Sequence, residues 1–194
     1  MNLNGYKIIL ASKSPRRIEY LKKMNIPFTT KKSKYNESFN TNLKSYLIPR
    51  FIVKKKAEIF INKVKDKEII ITADTIVWHK NKCLGKPKNN EEALSMLNEL
   101  SNNVHQVITA VGFLTKKNLE IIHKTTKVKF GKVSKEDLIN YTIKDKPFDK
   151  AGSYGIQDWF GLVAVESLNG SYSNIVGLPT YEVYNKLKEI TSKN

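Results

Sequence analysis

Hydrophobic positions along the chain follow two rhythms. Continuous apolar runs at 7–11 (KIILA) and 67–74 (KEIIITAD) read as short strands buried on both faces. Other segments carry apolar residues at helical spacing. Ser14 is placed to cap a helix that has Pro15 at its first position, and Ile18 and Leu21 continue it. Asn25-Ile26-Pro27 ends it, because Pro27 cannot propagate a helix and pushes Ile26 to extended geometry. Residues 28–45, rich in Lys, Asn, Ser and Thr, read as a mobile loop. A helix is predicted over 49–64, with Ile52, Ala57, Phe60 and Ile61 inward. A hairpin follows, turning at Lys80-Asn81, and then a helix capped by Asn90 with Ala93, Met96, Leu97 and Leu100 on one face.

Strands at 105–115 and 121–130 should pair about Lys116-Lys117-Asn118. Ser134 with Asp137 resembles a capping box. A glycine-rich segment over 151–178 contains a strand candidate at 162–165, and Pro179 opens a last helix with Val183, Leu187 and Ile190 inward. Buried runs alternating with helical periodicity argue for an α/β protein: a mixed, twisted central sheet flanked by helices. No internal repeat or linker divides the 194 residues, so 1–194 is read as a single domain.

Composition changes this picture in one respect. Hydrophobic content of 40% is ordinary for a packed core, but a net charge of +16 predicts attraction to phosphate-bearing partners. Heavy use of Lys, Asn and Ile also fits compositional drift in an AT-rich genome, so the placement of particular basic residues matters more than the total. A single cysteine, Cys83, rules out an intrachain disulfide and a cysteine-based metal cluster. The N-terminus lacks a signal pattern, and no apolar run approaches the ~20 residues that span a bilayer. The expectation is a soluble, cytoplasmic protein with no membrane partner.

Candidate chemistry begins at ILASKSPRR (9–17), where a strand hands over to a helix. A helix N-terminus attracts anions, and Ser12, Ser14, Arg16 and Arg17 add hydroxyls and two guanidinium forks suited to phosphate oxygens. The same turn also reads as an ordinary capped helix with surface arginines. Asp74 follows three isoleucines and is expected at or just beyond a strand end, where α/β sheets place ligands. It is a candidate proton acceptor or ligand for a hard cation, or else the head of an Asx turn. Lys86, between Gly85 and Pro87, is presented by a stiff turn that either shares a pocket with Asp74 or faces solvent. Gln157, in the segment AGSYGIQ, is an amide able to read a base edge, or part of a plain turn. No Walker loop or dinucleotide-binding glycine motif occurs, and His79, His105 and His123 lack metal-ligand spacing. Cys83 has no evident activating partner.

In order, LASKSPRR (10–17), Glu37, KKA (55–57), ADTIV (73–77), LGKP (84–87), EEALSMLNELSNNVHQVITAV (91–111), KAGSYGIQ (150–157) and NGSYSNIVGLP (169–179) resemble the Maf family of nucleotide pyrophosphatases. The resemblance spans nearly the whole chain. It implies a Maf/ITPase-like fold with the cleft at strand ends. It also implies hydrolysis of a nucleoside triphosphate to monophosphate and pyrophosphate with a divalent cation, Mg²⁺ or Mn²⁺.

Carried over residue by residue, Asp74 resembles the proton acceptor that activates water. Ser12, Ser14, Arg16 and Arg17 match the phosphate-binding turn, and Lys56 and Lys86 match further phosphate ligands. Glu37 would lie near the catalytic centre and share the metal with Asp74. Arg16, Thr75 and Gln157 match positions associated with substrate choice, and YGIQ is similar to the branch that prefers dTTP and UTP. Two departures stand out: Asp158-Trp159-Phe160 replaces the glycine that usually follows the Gln, and TAV replaces TGV at 109–111.

The leading expectation is therefore a dTTP/UTP-type pyrophosphatase, with modified pyrimidine nucleotides as further candidate substrates, that keeps unwanted nucleotides out of nucleic acid. The alternative, from the +16 charge and the family's association with septum formation, is a non-enzymatic nucleic-acid-binding or division-control protein. Clustering of the arginines at one turn, without a run of stacking aromatics, argues against specific nucleic-acid binding. Family members often form homodimers, although no feature of this sequence demands one.

Overall fold

The computed structural model describes residues 1–33, 35 and 42–192. Among these, the sheet has the order β2-β1-β3-β5-β6-β7, with β4 on β3. The strands are β1 (Lys7–Leu10), β2 (Phe28–Thr30), β3 (Glu68–His79), β4 (Lys82–Leu84), β5 (Val104–Leu114), β6 (Leu119–Phe130) and β7 (Val165–Asn169). β1 runs parallel to both β2 and β3, whereas every pairing from β3 outward is antiparallel, so the sheet is mixed. Helices α1 (Pro15–Lys23), α2 (Leu47–Glu58), α3 (Asn90–Leu100), α4 (Lys135–Asp145), α5 (Trp159–Ala164), α6 (Tyr172–Val176) and α7 (Thr180–Ser192) flank it. No helix is long and apolar enough to cross a membrane, among the described residues.

Alternation along β3 separates the core into layers. Ile69, Ile71 and Ala73 pack with Leu21 of α1 and Val183 and Leu187 of α7. Ile70 packs with Ala57 and Phe60, and Ile76 with Ile48 and Ile52, on the opposite face, which α2 covers. The inward stripe of α2 runs Ile48, Ile52, Lys56 at four-residue steps, so a lysine occupies a position that apolar residues hold one and two turns earlier. Opposite it on β3 is Asp74.

Several expectations are met in detail. The β3–β4 hairpin turns at Lys80 and Asn81, both left-handed (φ 43° and 62°), the geometry of a tight two-residue turn. Ser134 Oγ accepts from the Asp137 N–H at 3.1 Å. Val183, Leu187 and Ile190 face inward on α7.

Other expectations are corrected. Asp74 does not sit at a strand end: β3 runs on to His79, because β5 pairs with it from Ile70 through Trp78. Phe28–Thr30, assigned to the loop, adds a parallel edge strand to β1. The helix predicted over 49–64 begins at Leu47 and ends at Glu58. Beyond it the chain tightens into three-residue turns (Ile61 N–H to Glu58 O, Lys63 N–H to Phe60 O), which keep Phe60 buried and rotate Ile61 into solvent. Asn89, not Asn90, caps α3, accepting from the Glu92 N–H at 2.9 Å. The strand expected at 162–165 is the end of α5, and the strand begins only at Val165, where β6 offers an edge. A second short helix, α6, lies in the same glycine-rich segment.

Candidate active site

β1 and β4 both border β3 on the side away from β5, and between them they leave a gap. β1 contacts end where the Ala11 N–H reaches the Ile71 carbonyl, and β4 joins only at Val77. The β3 edge over 72–76 is therefore open, and a cleft of about 570 Å³ surrounds it. An interrupted sheet edge exposes backbone polar groups that must find partners. Here the Ala73 carbonyl accepts from two cations, Arg17 Nη1 at 3.1 Å and Lys56 Nζ at 3.4 Å. Arg17 approaches from the α1 face and Lys56 from the α2 face.

Alternation then splits the two neighbouring site residues. Asp74 points toward α2, where its Oδ1 lies 2.8 Å from Lys56 Nζ, both side chains being about 10% exposed. A pair this buried is costly to break, since removing one partner strands the other's charge. Thr75 points to the opposite face and accepts from Arg17 Nη2 at 3.1 Å. The Thr109 hydroxyl donates to the Asn174 carbonyl (2.9 Å), so the Thr75 hydroxyl is the donor in the 2.9 Å Thr75–Thr109 contact. The proton order is thus Arg17 to Thr75 to Thr109 to the α6 backbone.

The two arginines of the opening turn have different surroundings. Arg17 is drawn inward: besides Ala73 and Thr75, its Nε donates to the Gly177 carbonyl at 2.9 Å and its Nη1 to Ser12 Oγ at 3.3 Å. It is a strut tying α1 to β3 and to the α6–α7 junction. Arg16 stands at the rim, with Nη1 3.0 Å from Asp149 Oδ2. Ser12 Oγ also accepts from the Ser14 N–H at 3.2 Å. Ser14 is the extended N-cap residue of α1, but its side chain makes no capping bond. The N-terminus of α1 opens onto the cleft, lined by Ser12, Ser14, Arg16 and Arg17.

Lys86 lines the opposite rim just past β4. The preceding Gly85 carbonyl accepts from the Gly152 N–H at 3.0 Å, which ties this rim to the 3-10 turn at Ala151–Ser153. Gln157 is exposed and lines the same cleft, and its amide makes no hydrogen bond to a described residue. Asp74, Thr75, Lys56, Lys86, Ser12, Ser14, Arg16, Arg17 and Gln157 thus border one cavity. Glu37 lies outside the described residues.

Other titratable groups clarify what the site is not. Burial first, and the charge of Asp74 second, push the Cys83 thiol up to about 11, so it is protonated at neutral pH. His105 is buried with its Nε2 2.7 Å from the Tyr154 hydroxyl, and burial together with nearby His79 lowers its pKa to about 3. His79 contacts the Val104 carbonyl and His123 stacks on Tyr46, so the histidines play structural parts away from Asp74. No group of three or more His, Cys, Asp or Glu side chains converges among the described residues.

Sequence reasoning missed Asp149, Lys150, Ser33 and Tyr35, which also line the cleft. Burial alone would raise the Asp149 carboxyl, but hydrogen bonds from Lys150 and Arg16 outweigh it and hold the group below the ordinary carboxylate value. The available signal was Asp149-Lys150 directly preceding AGSYGIQ, two charges at the mouth of a glycine-rich turn.

The site is thus a mixed sheet with an opened edge, where cationic side chains surround Asp74, the one buried carboxylate of the cleft among the described residues. Comparison with known proteins places the chain more narrowly. Residues 7–190 match the family described as Maf-like protein, and the chain belongs to that family. A relative from Flavobacterium johnsoniae named dTTP/UTP pyrophosphatase is 46% identical over 185 residues, 95% of each chain. One of the same name from Flavobacterium psychrophilum is 48% identical over 178 residues, 92% of this chain and 91% of the relative. Among solved structures, the Staphylococcus aureus Ham1 protein is 13% identical, covering 64% of this chain and 71% of its own, with a TM-score of 0.45. That likeness is too low to carry any inference.

Proposed function

We propose that this chain is a nucleoside triphosphate pyrophosphatase of the dTTP/UTP type, acting in the cytoplasm to release pyrophosphate and a nucleoside monophosphate. One observation carries the reading: Asp74, the single buried carboxylate among the described residues, faces a cleft whose cations come from three separate elements. They are Arg16 on α1, Lys56 on α2 and Lys86 after β4. The names of the relatives support the choice of substrate.

A triphosphate laid across the open β3 edge would meet the α1 N-terminus and Arg16 at one end and Lys86 at the other. Asp74, oriented by Lys56, accepts the proton of a water attacking phosphorus; a positioned general base contributes about 10²–10⁴-fold. The cationic rim offsets the charge gathering on the departing pyrophosphate, so positioning and electrostatics supply most of the rest. Arg17 and Thr75 act by holding the β3 edge in register. Gln157, whose amide makes no hydrogen bond to a described residue, is placed to pair with the carbonyl and N–H edge of uracil or thymine.

A cleft with one buried carboxylate among the described residues suits Mg²⁺ or Mn²⁺, hard cations commonly held by one or two carboxylates together with substrate phosphates. Asp74 would hold it, with Glu37 as the second candidate. Bound there, the ion would neutralise phosphate charge.

Asp74→Asn tests the reading. Release of pyrophosphate from dTTP should fall by at least ~10²-fold while the thermal transition stays cooperative. Near-normal turnover by this variant would dismiss Asp74 as the base. Release of orthophosphate rather than pyrophosphate by the wild type would dismiss the reaction class.

A further inference from the structure

The departure at Asp158 has a structural meaning. Residues 155–158 form a tight turn closed by its own backbone, the Asp158 N–H donating to the Gly155 carbonyl at 3.1 Å. Gln157 occupies the third position of that turn. One side chain from a different element holds both ends. Tyr141, buried on α4, accepts from the Gly155 N–H at 3.3 Å and donates its hydroxyl proton to Asp158 Oδ2 at 3.0 Å. Burial, and then the charge of Asp158, push the Tyr141 hydroxyl up, so it remains a donor.

The Asp158 carboxylate also lies 3.5 Å from Lys150 Nζ. It folds back over Gly155 so closely that a Cβ there would meet Oδ2 at 2.5 Å and displace the carboxylate. Both anchors of the turn thus have protein partners, and the Gln157 amide, which lines the cleft, is the turn's one polar side chain without a partner among the described residues.

We infer that Asp158 and Tyr141 form a positioning pair: the Tyr141 hydroxyl staples the 155–158 turn at both ends and so fixes the direction of the Gln157 amide. The negative charge of Asp158 lies at the cleft wall, but its carboxylate is engaged by the Tyr141 hydroxyl and Lys150 and so braces the residue that reads the base. A fixed amide keeps its hydrogen bonds without the entropy of ordering a loop on binding, so the staple acts on affinity and base choice rather than on the chemical step. The inference rests on the proposed role of Gln157.

The test combines Asp158→Ala, Asp158→Asn and Gln157→Ala with the double variant. With dTTP, Asp158→Ala should raise KM about tenfold, the size of one well-made hydrogen bond, with kcat within a factor of about two. Preference for dTTP over CTP should fall as it does in Gln157→Ala. Asp158→Asn, which keeps an acceptor for the Tyr141 hydroxyl, should restore KM. The double variant should be no worse than Gln157→Ala alone, because two residues acting through one contact are not additive.

Multiplicative effects in the double variant, or an Asp158→Ala protein with unchanged KM and base preference, would overturn the inference. Hydrogen exchange at the Gly155 and Asp158 amides provides a readout that needs no substrate. It should accelerate about tenfold or more in Asp158→Ala, and unchanged protection would reject the staple. If the wild type released pyrophosphate from no nucleotide, the function would fail while the exchange result still decided the staple.

Discussion

Arg17→Lys separates a strut from a substrate ligand. The arginine holds two backbone carbonyls, Ala73 (3.1 Å) and Gly177 (2.9 Å), and two hydroxyls, Ser12 (3.3 Å) and Thr75 (3.1 Å). Lysine keeps the charge but concentrates its donors at one atom, which cannot span acceptors on β3 and at the α6–α7 junction together. At least two of these bonds would be lost. A bond to a charged donor is worth about 1.5–3 kcal/mol when buried, partial exposure discounts each to about 1–2 kcal/mol, and the loss of two should cost roughly 2–4 kcal/mol of stability. With a urea m-value of about 2 kcal/mol/M, the unfolding midpoint should drop by about 1–2 M. Pyrophosphate release should also fall, because Ala73 and Thr75 flank Asp74. The decisive comparison is the urea midpoint beside the rate at 25 °C. An unchanged midpoint with activity lost would refute the strut and make Arg17 a ligand for the anion.

Two further outcomes follow from the buried titratable groups. His105 is neutral in the fold, with a pKa of about 3 against about 6.5 unfolded, so between those values the unfolded chain binds the extra proton. Stability should fall as pH drops through that window, by up to about 1.4 kcal/mol per unit. His105→Gln should show a flatter acid limb in urea titrations from pH 7 to 4, and parallel limbs would contradict it. Cys83, pushed up to about 11, should react with iodoacetamide at pH 8 on the order of 10²-fold more slowly than free cysteine. Asp74→Asn should speed that reaction by removing a nearby negative charge; no change would place the thiol out of reach of Asp74.

Local signals carried the reading of most elements. Ser14-Pro15, Lys80-Asn81, Ser134 with Asp137, and Pro179 each mark a boundary by the backbone preference of the residues themselves, and the structure agrees at each. The glycine-rich segment was misread because short helices and a short strand there differ little in pattern. α5 and β7 are decided by whether the β6 edge is within reach. The same holds for Phe28–Thr30, which becomes a strand only because β1 lies beside it.

For the site, the sequence by itself determined the chemical inventory. It placed two hydroxyls and two arginines at a strand-to-helix turn, a carboxylate after a buried run, a lysine in a stiff turn, and the ordered motifs of the Maf family. Only the tertiary structure decided how these divide their work. Asp74 and Thr75 are adjacent in sequence, yet a strand turns successive side chains to opposite faces. One therefore meets Lys56 and the other Arg17. Whether a sheet edge is open depends on where two other strands stop, which no local pattern encodes. That gap between β1 and β4 is what makes the Ala73 carbonyl a meeting point for two cations, draws Arg17 inward, and leaves Arg16 at the rim.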